Sequence, residues 1–198
     1  MRHQHTIGRE YFEALYRSDS DPWNFATSEY EDRKYQATLR ALARASYAKA
    51  LEIGCSIGVL TARLAAHCDA LDAVDISPTA IAKARIACAT LDNVNFHIAA
   101  APDGLPAGPF DLIVLSEVLY YLDVTDLLSL AAWCRANASS AAEIVLCHWL
   151  GPTNYPLGGT EAAALFLDAL QPRLECHTVL HQEIYRLEWI RLGPKESQ

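Results

Sequence analysis

The sequence predicts an α/β protein built on a doubly wound, mostly parallel seven-stranded sheet that ends in an antiparallel hairpin. From residue 49 onward, short runs rich in Leu, Ile and Val alternate with helical patterns, which is typical of a parallel sheet covered on both faces. A turn of small residues, Gly54-Cys-Ser-Ile-Gly58, follows the first of these runs. The last two strand patterns are separated by only two residues, which is too short for a parallel crossover.

The first 46 residues are expected to form a helical cap. Helical patterns over 6–17 and 28–44 flank a loop in which Pro22 excludes helix. Aromatic residues concentrate here, namely Trp23, Phe25, Tyr30 and Tyr35. These rings either pack the helices onto the rest of the domain or form a lid over a ligand with a planar ring, since lids shield reacting groups from water. We expect one domain, with residues 1–46 as the cap and 47–198 as the sheet core.

The elements of the core are predicted in order along the chain. The strands are Lys49–Ile53, Ala70–Ile76, Val94–Ala99, Phe110–Ser116 and Ala142–Trp149, and the helices between them are Gly58–Ala66, Pro78–Ala89 and Val124–Asn137. Ser77-Pro78 is a strong helix start because serine caps the helix and proline fits its first turn. A helix over Thr160–Leu170 then precedes the strands Leu174–His181 and Ile184–Arg191, with Gln182-Glu183 as their turn.

Composition and charge narrow the possible functions. A net charge of −8 and a pI near 5.3 argue against nucleic-acid and anionic-membrane surfaces as partners. A cytoplasmic location is expected, because the sequence has neither a run of 18 apolar residues nor a signal-peptide core. The six cysteines form no Cys-x-x-Cys pair, so reduced thiols and no metal site are expected. Cys176, His177 and His181 are expected to be structural, since strand residues four apart lie about 13 Å from each other.

The turn after the first strand admits three interpretations. Gly54-Cys-Ser-Ile-Gly58 fits the Gly-x-Ser-x-Gly elbow of serine hydrolases, with Ser56 as nucleophile and His177 or His181 as base. That site needs an oxyanion-hole loop from an earlier strand, whereas everything before Lys49 has helical character. A dinucleotide site requires Gly-x-Gly-x-x-Gly, but Ser56 replaces the second glycine and the third comes one residue early.

The third interpretation is a site for S-adenosylmethionine. The stretch Glu52–Gly58 resembles the Glu/Asp-x-Gly-x-Gly-x-Gly signature of class I methyltransferases, with Ser56 for the middle glycine. Asp75 ends the second strand, where its carboxylate can accept both hydroxyls of a ribose. Class I methyltransferases close their sheet with a reversed last strand, and the predicted hairpin agrees with this. The resemblance extends from about Tyr11 to Arg191.

Within that superfamily the chain is similar to the nodulation-protein-S (NodS) type of methyltransferase. The resemblance is carried by Asp21-Pro-Trp23, Leu51-Glu-Ile-Gly-Cys55, Val74-Asp-Ile76, Phe110-Asp-Leu-Ile-Val114 and Glu117-Val-Leu-Tyr-Tyr-Leu122. Proteins of that type methylate the amino group of a deacetylated sugar at the end of a chitin-like oligosaccharide. The resemblance implies S-adenosyl-L-methionine as cofactor and a small acceptor, such as an amino or hydroxyl group of a sugar derivative. A non-sugar metabolite as acceptor and a cofactor-binding protein without catalysis remain alternatives.

The resemblance also implies which residues bind the cofactor. They are Trp23, Glu52, Gly54, Ser56, Gly58, Asp75, Ile76, Ala101 and Ser116. The two flanking glycines are expected to let the backbone approach the methionine portion, and Ser56 to bond its carboxylate. Asp75 should bind the ribose, Ile76 should cover the adenine, and the carbonyl of Ser116 should take the ammonium group. An acid often follows the third strand in this family, but alanines stand here, so the backbone of Ala101 is expected to meet the adenine amino group.

Glu117, Tyr120 and His148 are the expected catalytic residues. Glu117 follows the fourth strand, which lies beside the first in a doubly wound order, at the switch point where ligands bind. A methyltransferase aligns the lone pair of its acceptor and keeps the acceptor unprotonated. Glu117 can hold an amine and take its proton, with Tyr120 and Tyr121 beside it, or it is simply an acid at a helix start. His148 either reaches the acceptor, whose rim is expected at 149–160, or is a satisfied core histidine.

Overall fold

The structure is a computed structural model that describes residues 2–181 and 184–194. The chain divides into two compact units. We call Gly8–Pro106 the N-terminal unit, and Met1–Ile7 together with Ala107–Gln198 the C-terminal unit.

The N-terminal unit consists of three strands and four helices. They are α1 (Arg9–Ser18), α2 (Glu29–Arg40), β1 (Ala50–Ile53), α3 (Val59–Leu64), β2 (Leu71–Asp75), α4 (Pro78–Ala87) and β3 (Val94–Ile98). Strand β2 pairs in parallel with β1 on one side and β3 on the other. Every residue of β1 and β2 is buried, as expected for strands covered on both faces. Helix α4 begins as predicted, because the Ser77 hydroxyl accepts the Ala80 N–H at 3.1 Å and Pro78 follows.

The two N-terminal helices are shorter than the sequence predicts. Helix α1 begins at Arg9 and not at residue 6, since Thr6 belongs to the C-terminal unit, where its hydroxyl donates to Asp126. Helix α2 begins at Glu29, after its cap Ser28, and ends at Arg40, whereas the predicted helix runs from 28 to 44. The chain must leave the helix here, because Tyr47 already pairs with Cys68 ahead of β1.

The described part of the C-terminal unit contains four strands and two α-helices. They are β4 (Phe110–Ser116), α5 (Val124–Asn137), β5 (Ala138–Trp149), α6 (Gly159–Leu170), β6 (Leu174–His181) and β7 (Tyr185–Leu192). Strand β5 is four residues longer at its start than predicted. Its pairing with β4 shifts register between Phe110 and Leu112, and Ala141 adopts a φ of 57°. The added residues are therefore an irregular extension that an alternation pattern does not reveal.

The fold class predicted from the sequence is confirmed. The sheet has seven strands in the order β3-β2-β1-β4-β5-β7-β6. Strand β7 is antiparallel to both β5 and β6, which is the predicted reversal. The predicted turn, Gln182-Glu183, lies outside the described residues.

Two expectations about side chains are also met, that the cysteines are free and that His177 is structural. All six cysteines are free, and five of them are buried. His177 pairs with buried Glu188 across the hairpin at 2.5 Å, which gives it a structural partner.

Residues 2–181 and 184–194 contain no group of three or more side chains able to hold a metal ion. In the same ranges, no helix combines the length and the apolar composition that crossing a bilayer requires.

Candidate active site

The turn after β1 is built from three residues with left-handed backbone. Gly54, Ser56 and Gly58 have φ values of 85°, 51° and 86°. The N–H groups of Gly54 and Cys55 both donate to the carbonyl of Val74, at 2.8 and 2.9 Å. Glycine adopts this conformation freely, whereas a residue with a side chain is strained by roughly 1–2 kcal/mol. The substitution of serine for glycine therefore carries a conformational cost, and Ser56 must be held in place by its contacts.

Gly58 is required by packing within the protein. A Cβ atom at this position would lie 3.1 Å from Ala84 and 3.3 Å from the Cys88 sulfur. Helix α3 starts here, and its approach to α4 leaves no room for a side chain. The sequence predicted that this glycine makes space for a ligand, and the structure adds a packing reason that is sufficient by itself.

Asp75 connects the turns that follow β1 and β2. One carboxylate oxygen accepts the N–H of Ser56 at 2.9 Å, and the other accepts the N–H of Ser77 at 2.8 Å. The residue is buried, and burial raises the pKa of its carboxyl to about 6 although the two N–H bonds act in the opposite direction. A carboxylate can accept about four hydrogen bonds, so Asp75 can also accept hydroxyl groups of a ligand. The structure thus fixes the orientation that the sequence interpretation needs.

Glu52 is a second buried carboxyl beside this turn. It is the penultimate residue of β1, before Ile53, and accepts the hydroxyl of Thr61 at 2.6 Å. Burial raises its pKa to about 7, and the charge of Asp75 adds to the effect. Two carboxyls that are hard to ionise are stabilised as anions by a nearby positive charge. A ligand with cationic groups fits such a site.

Helix α1 reaches this turn through Tyr16. Its phenol is buried and lies 2.5 Å from the hydroxyl oxygen of Ser56. Burial raises the pKa of Tyr16 above its usual range, so the phenol stays neutral. A neutral phenol is a poor general base for a serine nucleophile, and this contact gives the hydrolase interpretation no support. It does explain how Ser56 is held despite its backbone strain.

Glu13 anchors α1 to the start of α4, a contact that the sequence analysis did not foresee. Its carboxylate accepts the hydroxyl of Ser77 at 2.7 Å and the N–H and hydroxyl of Thr79 at 2.9 and 2.8 Å. These bonds, led by the Thr79 N–H, lower the pKa of Glu13 to about 2. Lys83 adds to the anchor by donating to the carbonyls of Tyr16 and Ser20. The N-terminal segment is therefore held over the turns that contain Ser56 and Ser77.

Trp23 lies in the loop between α1 and α2. The carboxylate of Asp21 accepts the N–H groups of Phe25 and Ala26 and so fixes the loop. The indole stacks on Phe25 at 5.5 Å and meets the edge of Tyr16 at 5.7 Å. Trp23 thus packs against the helix that contacts Ser56, and its predicted part in cofactor binding stays a prediction.

The remaining expected cofactor residues lie at strand ends. Ile76 directly follows β2 and Ala101 lies shortly after β3, and both are half-buried. Ala101 precedes Pro102 through a cis peptide bond. Ser116 is the last residue of β4 in the C-terminal unit and is half-buried. The predicted contacts of Ile76, Ala101 and Ser116 with the cofactor stay predictions.

Glu117 connects the ends of β4 and β5 within the C-terminal unit. It adopts a φ of 58°, and its N–H donates to the carbonyl of Cys147 at 2.8 Å. One carboxylate oxygen accepts both the Tyr120 hydroxyl at 2.5 Å and the Trp149 N–H at 2.9 Å. A half-buried acid with left-handed backbone and two fixed donors is more than a surface acid at a helix start. Strained, hydrogen-bonded positions of this kind are common at functional sites.

His148 is the penultimate residue of β5. The side chain is buried, and its Nε2 accepts the N–H of Leu119 at 3.2 Å. Its ring also meets the edge of Tyr120 at 5.6 Å. Protonation of Nε2 would break the bond to the Leu119 amide. Of the two interpretations made from the sequence, this geometry is closer to that of a core histidine. His148 therefore contacts the segment that carries Tyr120, and its predicted catalytic role stays a prediction.

Three tyrosines, Tyr120, Tyr121 and Tyr155, pack against one another in what we call the tyrosine cluster, and Tyr120 links it to Glu117. Tyr155 stacks on Tyr120 at 5.4 Å and meets the edge of Tyr121 at 4.5 Å. Burial raises the pKa of both Tyr120 and Tyr121 well above the usual value. Tyr155 comes from the loop before α6, and no periodic pattern in the sequence links it to Glu117. The result is a group of packed tyrosine rings, one of which donates its hydroxyl to the Glu117 carboxylate.

The predicted rim of the acceptor site contains a surface pocket of about 330 Å³. It is lined by Arg2, Leu150, Gly151, Pro152, Thr153, Gly158, Gly159, Thr160 and Glu161. Arg2 and Glu161 form an ion pair at 3.1 Å. Gly151 packs against the Trp149 indole so closely that a Cβ atom would lie 2.3 Å from its Nε1. The loop after β5 is therefore shaped around Trp149.

Comparison with known sequences identifies the family. The profile of the family described as Nodulation protein S (NodS) matches residues 12–136. Nodulation protein S of Bradyrhizobium diazoefficiens is 38% identical over 159 residues, which cover 76% of this chain and 75% of that protein. Nodulation protein S of Sinorhizobium fredii is 36% identical over 104 residues, or 52% of this chain. The matched part spans 48% of the Sinorhizobium protein, about half its length.

Comparison with solved structures agrees with this assignment. N-methyltransferase NodS from Bradyrhizobium japonicum WM9, in complex with S-adenosyl-L-homocysteine, has a TM-score of 0.81 at 23% identity and covers 93% of this chain and 97% of that chain. A Pseudomonas syringae protein, solved as a proposed methyltransferase, has a TM-score of 0.73 at 34% identity and covers 83% of this chain and 99% of that chain. The structural likeness supports the fold, and the family profile covers more than half of the sequence. This chain belongs to the Nodulation protein S (NodS) family.

Proposed function

We propose that this chain is an S-adenosyl-L-methionine-dependent N-methyltransferase that acts on the amino group of a sugar-derived acceptor. The observation that carries the proposal is the fixed carboxylate of Asp75, which the amides of Ser56 and Ser77 orient at the ends of β1 and β2. Membership in the NodS family supports it. A related N-methyltransferase from Bradyrhizobium japonicum WM9 binds S-adenosyl-L-homocysteine.

The N-terminal unit offers groups that suit this cofactor. Asp75 can accept the ribose hydroxyls in addition to its two backbone N–H groups. Glu52 and Asp75 are buried carboxyls with raised pKa values, and such groups favour a ligand with positive charge. The cofactor supplies a methyl group on a positively charged sulfur. The turn after β1 keeps main-chain atoms accessible where bulky side chains would obstruct a ligand.

The C-terminal unit offers groups that suit an amine acceptor. The Glu117 carboxylate is half-buried and can bind an ammonium group and accept its proton. Deprotonation is needed because the nitrogen lone pair must be free to attack. The rings of Tyr121 and Tyr155 provide apolar faces for a sugar ring, while polar groups of the rim can meet its hydroxyls. We therefore favour nitrogen over oxygen as the methylated atom.

Binding and transfer assays test the proposal. Isothermal titration should detect binding of S-adenosyl-L-homocysteine and none of NADH. Methyl transfer from labelled S-adenosyl-L-methionine should occur to glucosamine and to a chitin oligosaccharide with one free amine. N-acetylglucosamine is the matched control, since its nitrogen is blocked and its hydroxyls are kept.

The outcomes separate the alternatives. Equal labelling of glucosamine and N-acetylglucosamine would indicate O-methylation. Labelling of a simple aliphatic amine at the glucosamine rate would indicate an acceptor class other than sugars. Cofactor binding without transfer to any acceptor would indicate a binding protein, and the absence of cofactor binding would overturn the proposal.

A further inference from the structure

Residues 2–7, which we call the N-terminal strap, belong to the C-terminal unit although they precede α1 in the chain. We propose that the strap forms one wall of the acceptor site, and that Arg2 is a specificity-determining residue which binds hydroxyl groups of the acceptor away from the reacting amine. This inference rests on the proposed function, because it concerns the part of the acceptor that is not methylated.

The end of the strap is fixed by hydrogen bonds to two neighbouring segments. The Ile7 N–H donates to the carbonyl of Tyr121 at 2.9 Å, and the Ile7 side chain is buried. The Thr6 hydroxyl donates to the Asp126 carboxylate at 2.5 Å and accepts the Asp123 N–H at 3.0 Å. The end of the strap is therefore tied to the tyrosine cluster and to the start of α5.

The beginning of the strap lies against the loop after β5 and the start of α6. The His3 N–H donates to the carbonyl of Asn154 at 2.8 Å, in the loop that carries the last member of the tyrosine cluster. The Arg2 guanidinium binds the Glu161 carboxylate at 3.1 Å. A Cβ atom at Gly158 would lie 3.4 Å from the same guanidinium. These contacts hold the Arg2 side chain over the beginning of α6.

Arg2 and Glu161 both line the surface pocket of about 330 Å³. Their neighbours in the lining provide apolar atoms and hydroxyl groups, namely Leu150, Pro152, Thr153 and Thr160. Arg2 offers hydrogen-bond donors only, and the Glu161 carboxylate offers acceptors only. Because their charges offset each other, a neutral ligand with both donors and acceptors suits the pocket better than an ion does. Sugar hydroxyls have this character, and the volume lies at the lower end of the range for ligand sites.

The pocket adjoins the residue that binds the candidate base. Leu150, in the lining, directly follows Trp149, whose N–H donates to the Glu117 carboxylate at 2.9 Å. Gly159, also in the lining, packs so closely that a Cβ atom would lie 2.2 Å from the Trp149 carbonyl oxygen. An acceptor whose amine is bound by Glu117 can therefore extend its other groups into the pocket, where Arg2 meets them.

Kinetics with two acceptors test the role of Arg2. Glucosamine consists of the reacting ring alone, whereas a chitin oligosaccharide with one free amine extends beyond it. In Arg2→Ala, we expect the KM for the oligosaccharide to rise about tenfold, because hydrogen bonds from a charged donor are lost. The KM for glucosamine, the kcat with either acceptor and the dissociation constant of S-adenosyl-L-homocysteine should change less than twofold. Arg2→Lys keeps the charge but not the planar fork, so it should recover part of the affinity.

Arg191→Ala is the matched control for Arg2→Ala. Arg191 lies on β7, outside the set of residues that line the pocket, and binds Glu175 at 3.0 Å. The side-chain exposures of this pair are 44% and 52%, against 49% and 53% for Arg2 and Glu161. Surface ion pairs contribute little to stability, so both variants should unfold at the urea concentration of the wild type. Arg191→Ala should also keep the wild-type KM for both acceptors.

Thr6→Val tests whether the strap positions Arg2. The change keeps the volume of the side chain but removes the hydroxyl that links the strap to α5. We expect faster amide hydrogen exchange at Ile7 and His3, which needs neither cofactor nor acceptor, and a several-fold higher KM for the oligosaccharide. Thr125→Val is the control, because Thr125 is exposed in the first turn of α5, and it should change neither quantity. Faster exchange with an unchanged KM would contradict the strap as a wall of the site.

The outcomes separate this inference from the proposed function. A wild-type protein that binds the cofactor product but methylates neither acceptor overturns the proposed function and the acceptor wall with it. A wild-type protein that methylates both acceptors, together with an Arg2→Ala variant whose KM values are unchanged, overturns the acceptor wall alone. An equal rise of KM for glucosamine and for the oligosaccharide would assign Arg2 a packing role and also contradict the inference.

Discussion

Asp75 is the last residue of β2 and Glu117 directly follows β4, and both carboxylates connect two loops, yet their partners differ in kind. Asp75 accepts two backbone N–H groups, from Ser56 and Ser77. Glu117 accepts one backbone N–H, from Trp149, and one phenol, from Tyr120. Backbone amides keep their protons at ordinary pH, whereas a phenol can exchange its proton with the carboxylate. The first arrangement suits a fixed binding group, and the second suits a group that gains and loses protons.

The difference extends to the surroundings of each carboxylate. The N-terminal unit adds another buried carboxyl, Glu52, and an anchored helix, so its candidate site is rigid and contains two buried acids. The C-terminal unit adds the aromatic rings of the tyrosine cluster. A binding function is therefore expected to be sensitive to geometry and charge in the first unit. Turnover is expected to be sensitive to proton transfer in the second.

The largest expected effect is on turnover in Glu117→Gln. The amide can still accept the Trp149 N–H, but it cannot take a proton from the acceptor. Loss of general base catalysis typically costs about 100-fold to 10,000-fold in rate. We expect kcat for methylation of glucosamine to fall by about 100-fold or more, while the affinity for S-adenosyl-L-homocysteine changes less than twofold. Initial-rate assays and isothermal titration measure the two quantities.

The control for Glu117→Gln is Glu143→Gln. Glu143 is also a buried acid of the C-terminal unit, but its carboxylate accepts the Trp189 indole N–H in the middle of the sheet. Its replacement should leave the kcat of the folded protein unchanged. If Glu117→Gln turned over like wild type, the contrast between the two carboxylates would be wrong.

The next largest effect is on cofactor affinity in Asp75→Asn. Hydrogen bonds to a charged group contribute about 1.5–3 kcal/mol each, and the asparagine amide must also face an N–H donor. We expect the affinity for S-adenosyl-L-homocysteine to fall about 100-fold by isothermal titration. Asp72→Asn is the matched control, because Asp72 is a buried acid at the other end of β2 that pairs with His97. Equal losses in the two variants would show that the effect is one of folding and not of binding.

The architecture was predictable because its signals are local in the sequence. The two-residue gap between the last strand patterns required an antiparallel pair, and the structure has β6 and β7 in that arrangement. The Ser77-Pro78 start of α4 was likewise encoded by adjacent residues. Helix ends were less predictable, because α2 stops where the chain must turn toward β1 and not where its helical pattern ends.

The contacts of the candidate site were not predictable in the same way. Glu13 accepts a hydrogen bond from Ser77, which lies 64 positions later in the sequence. Tyr155 stacks on Tyr120, which lies 35 positions earlier. No local pattern signals such pairs, because they arise only when distant elements pack together. The packing role of Gly58 was not foreseen for the same reason, since its close neighbour Ala84 comes from another helix; its predicted part in cofactor binding stays a prediction. The sequence thus indicated the residue types of the site better than their partners.

A change in pH is expected to have a smaller effect. It should change the stability of the ligand-free protein and its affinity for the cofactor in opposite directions. Burial raises the pKa of Asp75 from 3.8 to about 6 and that of Glu52 from 4.5 to about 7. The stability that these groups contribute to the ligand-free protein is present below pH 4 and lost as pH rises through 6 to 7. Ribose hydroxyls donate to the ionised carboxylate, so cofactor affinity should instead fall as pH drops below about 6.

Isothermal titration with S-adenosyl-L-homocysteine between pH 5 and pH 8 measures this dependence. We expect a decrease of up to about tenfold per pH unit below the pKa of Asp75, together with a higher melting temperature of the ligand-free protein toward pH 5. In Asp75→Asn, the part of the pH dependence of affinity that comes from ionisation of Asp75 should be absent. An affinity that is constant over this range in the wild-type protein would contradict an ionised Asp75 in the complex.

The smallest effect is expected for the anchor of α1, and it bears on the rigidity of the N-terminal site. The pKa of Glu13 is lowered to about 2, chiefly by the Thr79 N–H, so its stabilising contribution is present above pH 4.5 and lost as pH falls through 2. Glu13→Gln keeps the shape of the side chain but weakens three charge-assisted bonds near the start of α4. We expect the free energy of unfolding to fall by about 1–2 kcal/mol and cofactor affinity to fall several-fold, because α1 also positions Tyr16 against Ser56. Glu10→Gln, an exposed acid in the first turn of the same helix, should change neither quantity in urea unfolding and isothermal titration. If Glu13→Gln lost stability but bound the cofactor product as tightly as wild type, α1 would stabilise the unit without shaping its binding site.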